Sequence, residues 1–155
     1  MTLEKLKFVK NIDASNWAYQ DWQWGSQQWL NWSKGSEANA NKARLGDIIL
    51  LVQKPDHVPQ ARVTHLIEVI SEAAETIDDG DWGVVRQVSV IWVADFEHES
   101  SVPKDKDIFG WKRQRNQGTN IVELGNIKEG KVLQLWHSLE IFQRHVAGML
   151  GLIEE

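Results

Sequence analysis

The sequence predicts an α+β fold, in which a body of β-strands is followed by one amphipathic C-terminal helix. Two observations carry this. The run Ile48-Ile49-Leu50-Leu51-Val52, entered through Arg44-Leu45-Gly46-Asp47, reads as a tight turn feeding a strand buried on both faces at the centre of a sheet. Leu135, Leu139, Phe142, Val146 and Met149 repeat at the spacing of one helical stripe, which predicts a helix packed across that sheet. At 155 residues, with no repeat or composition shift to mark a linker, the chain reads as a single domain over 1–155.

The remaining elements follow in order. Leu6 and Phe8 alternate with Lys5 and Lys7, the period of a half-buried strand. Asp13 is placed to cap a short helix through Trp17 to Tyr19. From Asp21 to Lys42 the composition turns to Trp, Gln, Asn, Ser and Gly without a period, so an irregular segment is expected, with a helical turn around Glu37 to Ala43. A connection of that length is usually functional or hides structure of its own. Ala61 to Ile70 predicts a second long strand, with Val63, His65, Ile67 and Val69 on one face and Thr64, Leu66 and Glu68 on the other. The Asp78-Asp79-Gly80-Asp81 turn precedes a third strand, Val84 to Ala94. Asp95 to Gly118 reads as a polar loop, and Thr119 to Leu124 as a last short strand.

Composition narrows the function. There is no cysteine, so disulfides, thiolate metal sites and a cysteine nucleophile are absent, and a cytoplasmic location is expected. No apolar run approaches the ~18 residues of a membrane span. The net charge of −5 argues against indiscriminate binding to nucleic acid. Yet Lys104 to Gly118 holds five basic residues against two acidic ones, a local +3 that leaves −8 elsewhere. Five of the nine tryptophans, Trp17, Trp22, Trp24, Trp29 and Trp32, crowd into sixteen residues. That is more than a core needs there, so some are expected in the core and others at the wall or rim of a site.

Catalytic patterns fare poorly. Gly125 to Lys131 has most of a phosphate loop, but Val132 replaces the hydroxyl that would hold Mg²⁺. Asp56, Glu68 and Lys54 are the best candidates for a metal-dependent nuclease, and Ile70 stands where its lysine is needed. Asp95-Glu97-His98-Glu99 reads as solvated loop, because near neighbours on a loop seldom converge on one ion. No serine lies in a nucleophile elbow. Neither an enzyme, a metal nor a cofactor is expected.

Trp29 and Asn31-Trp32-Ser33, then Asn39 and Asn41, then Gly46-Asp47-Ile48-Ile49-Leu50-Leu51 and the strand ending Ile67-Glu68-Val69, resemble in order the PUA-like superfamily, nearest its EVE branch, a cousin of YTH and ASCH domains. The match covers about half the chain. One departure is that Asn11-Ile12-Asp13 replaces the Lys-Ser-Glu-Pro that follows the first strand in many EVE domains. The resemblance implies a curled barrel with flanking helices and a pocket for a single base, often modified, on single-stranded or flipped-out nucleic acid. On this chain it implies Trp29 and Trp32 as stacking faces and Asn31 and Ser33 as base-edge contacts. Lys112, Arg113, Arg115, Asn116 and Gln117 would grip phosphate and sugar. The same aromatic surface also suits a protein-interaction or small-ligand module without nucleic acid.

Overall fold

The computed structural model describes residues 3–78, 80–111, 113, 121–125 and 132–152. Among them, seven strands form one mixed sheet and four short α-helices pack around it. The strands are β1 (Leu6–Ile12), β2 (Gln27–Trp32), β3 (Ile48–Gln53), β4 (Arg62–Val69), β5 (Glu75–Thr76), β6 (Val84–Val93) and β7 (Ile121–Glu123). The spatial order is β2-β6-β4-β3-β1-β7, with β5 beside β6, and only the β1–β3 pairing is parallel.

The central strand is the apolar run that predicted it, since every residue of β3 is buried. Its entry turn is fixed locally. Gly46 has φ +90°, a conformation that costs glycine little, while the Asp47 carboxylate accepts from the Arg44 backbone N–H at 2.9 Å.

Strict alternation fails in β4. The register steps from Leu51 opposite His65 to Val52 opposite Val63, leaving Thr64 as the extra residue of a bulge. Val63 therefore packs with Leu66 on one side of the sheet, while Ile67 and Val69 pack on the other. A similar shift in β1, between Leu6 and Phe8, puts Phe8 and Ile12 on the side opposite Leu6 and Val9.

The sheet is curled. Four strand spacings separate β1 from β2, about 19 Å in a flat sheet. Yet Lys10 Nζ of β1 lies 5.1 Å from the ring centroid of Trp32 on β2. A lysine side chain spans that gap only if the two strands bend towards each other. The concave side holds Phe8, Ile12, Leu30, Trp32, Ile49, Leu51, Ile67 and Val88. The sheet is not closed, and the expected barrel is therefore reduced to an open, curled mixed sheet.

The convex side is covered by helices α2 (Asp105–Phe109), α3 (Val132–Trp136) and α4 (Leu139–Met149), with Phe109, Phe142 and Val146 packed against Leu6, Val9, Leu50 and Val52. The single C-terminal helix of the sequence reading is two. His137 has φ +68°, and the Ser138 hydroxyl caps α4 by accepting from Ile141 N at 3.1 Å. Leu135 and Met149, read as part of the buried stripe, are about half exposed.

Other differences are local. No helix follows Asp13, and Trp17 to Tyr19 lies in bends. The segment read as irregular contains β2 and the short helix α1 (Glu37–Ala40). Part of the expected polar loop after Asp95 is a 3-10 turn at Phe96–Ser101 followed by α2. Among the described residues no helix is long and apolar enough to cross a membrane.

Candidate functional site

An open cleft of about 310 Å³ lies where β1 and β2 approach across the unclosed side of the sheet. Its walls are Lys10 and Ile12 from β1, Asp13 and Ala14 just beyond, Ala18 and Tyr19 from the following loop, Asn31 from β2, and Trp82. This volume sits at the small end of the ~300–1,000 Å³ usual for small-ligand sites.

Buried polar groups fasten the loop that carries Tyr19. The Gln53 side chain accepts from Ala18 N at 2.7 Å and donates to Ala18 O at 2.9 Å, and it also donates to the Thr64 hydroxyl at 2.9 Å. His65 Nδ1 meets the same hydroxyl at 2.8 Å, and His65 Nε2 meets Tyr19 O at 3.0 Å. One tautomer satisfies everything: the Thr64 hydroxyl donates to Nδ1, and Nε2–H donates to the carbonyl. Burial pulls the His65 pKa down to about 4, against a smaller opposing effect of the Tyr19 carbonyl, so the ring is neutral at pH 7. These contacts hold Tyr19 at φ +58°, a left-handed conformation uncommon for a non-glycine residue. Its ring stacks on Trp22 at a centroid distance of 4.1 Å.

Asn31 joins the two walls. Its Nδ2 donates to Trp82 O at 2.9 Å, and its Oδ1 accepts from the Tyr19 hydroxyl at 3.4 Å. These bonds use one amide N–H and one oxygen lone pair, so one of each remains for a ligand. Burial raises the Tyr19 pKa, keeping the phenol protonated at neutral pH. Lys10 is buried, and desolvation lowers its pKa to about 7. It stands in the cleft as a mixture of ammonium and amine, a perturbation of the kind that marks functional sites.

The residues singled out by sequence are dispersed. Asn31 reaches the cleft. Trp32, on the opposite face of β2, is completely buried, and among the described residues its Nε1 has no hydrogen-bond partner. It is a core residue beneath Lys10 and offers no face for stacking, which corrects that expectation. Trp29 is 48% exposed on the outer face and does not line the cleft. The Ser33 hydroxyl is engaged with that of Ser36 at 2.9 Å. Arg113 is also corrected as a free phosphate ligand. Its Nε pairs with Asp105 at 3.2 Å, its Nη2 donates to Asn11 Oδ1 at 3.0 Å, and its guanidinium lies over Phe109. Lys112, Arg115, Asn116 and Gln117, and residues 126–131 of the phosphate-loop sequence pattern, lie outside the described residues.

The nuclease candidates separate. Lys54 and Asp56 follow Gln53 at one end of β3, whereas Glu68 pairs with Ile48 at the other, about 17 Å away along the strand. Among the described residues no three His, Asp or Glu side chains converge to hold a metal ion.

Sequence reasoning missed Lys10, Tyr19 and Trp82. A signal existed for Lys10, because Phe8, Lys10 and Ile12 alternate and place a lysine in an inward register. No protein-family model matches the chain, and no curated protein matches it either.

Proposed function

We propose that this protein binds a single base of an unpaired or flipped-out nucleotide in the cleft between β1 and β2. The observation that carries the reading is the meeting, in one small open cleft, of aromatic Tyr19 and Trp82 with the Asn31 amide and the Lys10 amine. Aromatic walls suit a planar ring, with ~1–3 kcal/mol per stacked base. Asn31 retains a donor and an acceptor for a base edge, and Lys10 donates in either protonation state. The fastening of Tyr19 by Gln53 and His65 keeps that wall formed before a ligand arrives, which lowers the ordering cost of binding. The likeness to PUA-like domains adds to this reading.

Titration of the full chain with modified and unmodified nucleosides and short single strands, followed by tryptophan fluorescence, tests it. Quenching is expected with at least one base and is expected to disappear in Trp82→Ala. Absence of quenching by every ligand at low salt overturns the reading.

A second reading rests on Trp24 and Trp29, 58% and 48% exposed beside the edge strand β2. Exposed tryptophans on an unpaired edge suit a protein partner. A sizing experiment showing a dimer dispersed by Trp24→Ala or Trp29→Ala, with no response to any base, would favour it.

A further inference from the structure

The parallel strands β1 and β3 finish side by side, with Ile12 opposite Gln53. Asp13 and Lys54 therefore leave the sheet as neighbours. Asp13 borders the cleft described above. Lys54 borders a second cleft of about 390 Å³, whose other walls include Gln60, Ala61, Asp105, Lys106 and Arg113. Arg113 bonds to Asn11, which alternates with Lys10 and Ile12 and so faces the other side of β1. The two clefts thus lie on opposite faces of one strand and border the same end of the sheet.

The charges of the second cleft do not cancel. Arg113 and Asp105, both largely buried, neutralise each other at 3.2 Å. Lys54 and Lys106 are exposed, and among the described residues neither takes part in an ion pair. Two uncommitted cations therefore stand in one concavity of a chain whose net charge is −5. Such local focusing attracts an anion despite the acidic body. Asp13, at the rim of the first cleft, repels a phosphate there and leaves the Lys54 side as its place.

We infer that this second cleft holds a backbone phosphate of the nucleic-acid strand whose base enters the first cleft, with Lys54 and Lys106 as its contacts. The inference rests on the proposed base reading. It divides recognition between two faces of β1, with the base on the Lys10 side and the phosphodiester on the Asn11 side.

The test compares a nucleoside with a short single strand carrying the same base, on the wild-type chain and on the Lys54→Glu/Lys106→Glu variant. Both lysines are exposed, so the variant is expected to fold, and Lys54→Gln/Lys106→Gln provides a milder control. Nucleoside affinity is expected to be insensitive to salt and equal in all three proteins. Single-strand affinity is expected to fall with salt at a log–log slope of about −0.7, from the one phosphate held between the two lysines. The charge-reversed variant is expected to lose on the order of tenfold in that affinity and most of the slope. An unchanged single-strand affinity and slope in the variant overturns the inference. So does a wild-type protein that binds the strand no more tightly than the nucleoside, or one in which inorganic phosphate occupies the lysines without affecting strand binding. In those cases nucleoside binding persists and the base reading stands, whereas loss of all nucleoside and strand binding removes both.

Discussion

Lys10 Nζ lies 5.1 Å from the centre of the Trp32 ring although their strands stand four places apart in the sheet. That contact joins the two halves of the curled sheet and forms the floor beside the cleft. A cation over an indole face gains roughly 0.5–2 kcal/mol, less than a buried ammonium loses in hydration.

The balance sets the pH dependence of stability. The native Lys10 ammonium loses its proton near pH 7, whereas the unfolded chain holds it to 10.5. Between these values the unfolded state binds more protons, so this residue makes stability rise with pH. Lys10→Met is expected to be more stable than wild type at pH 7, by at most about 5 kcal/mol, with the margin shrinking towards pH 10.5. Urea unfolding at several pH values measures it. A less stable variant at pH 7 contradicts the burial cost.

His65 acts in the other pH range. Its native pKa near 4 lies below the ordinary 6.5, so the unfolded state takes up the proton first as the solution is acidified. Its contribution is intact above pH 6.5 and is lost as the pH falls to 4, about 3 kcal/mol in all. His65→Leu removes this slope and one of the two donors to Tyr19 O, the other being the Trp22 backbone N–H at 3.1 Å, at a cost of roughly 0.5–1.5 kcal/mol at pH 7. Superimposable acid profiles for the two proteins would rule out this role.

Arg86 is a structural counterpart to these groups. Fully buried, it donates from Nη1 to Ala40 O and Ala43 O, both at 2.7 Å, and to the Ser71 carbonyl and hydroxyl from Nη2 and Nε. It ties α1 and the turn after β4 to β6. Arg86→Met is expected to cost about 3–5 kcal/mol, because it strands buried carbonyls that water does not reach. A shift of less than about 1 kcal/mol in chemical denaturation would show that the carbonyls find other donors.

The aromatic residues separate binding from stability. Trp82 is 42% exposed, so Trp82→Ala is expected to change stability by less than about 1 kcal/mol while removing ligand-induced quenching. Trp29→Ala is expected to change neither. Loss of base binding in Trp29→Ala with retention in Trp82→Ala would move the site along β2 from Asn31 to Trp29.

Much of the sheet was legible in sequence because β3, β4 and β6 combine β-branched composition with a buried environment. The edge strand β2 was not, since Gln27, Gln28 and Asn31 on a partly solvated strand carry little apolar period. The break between α3 and α4 was written in Ser138, a good cap, but the apolar stripe running across it suggested continuity. Of the site, only Asn31 was found. Tyr19 and Trp82 belong to loops brought together by Gln53, His65 and Asn31 over long sequence distances, and such tertiary fastening leaves no local pattern.

The parallel pairing of β1 with β3 bears on how the molecule assembles. The antiparallel partners β3, β4 and β6 are joined by short connections, whereas β1 waits for a crossover of thirty-five residues that also delivers β2 to the far edge. Closing that large loop is entropically late, so pulse-labelled amides of β4 and β6 should gain protection before those of β1. The cleft between β1 and β2 would then come into being only in the last stage of maturation, after the rest of the sheet is already in place.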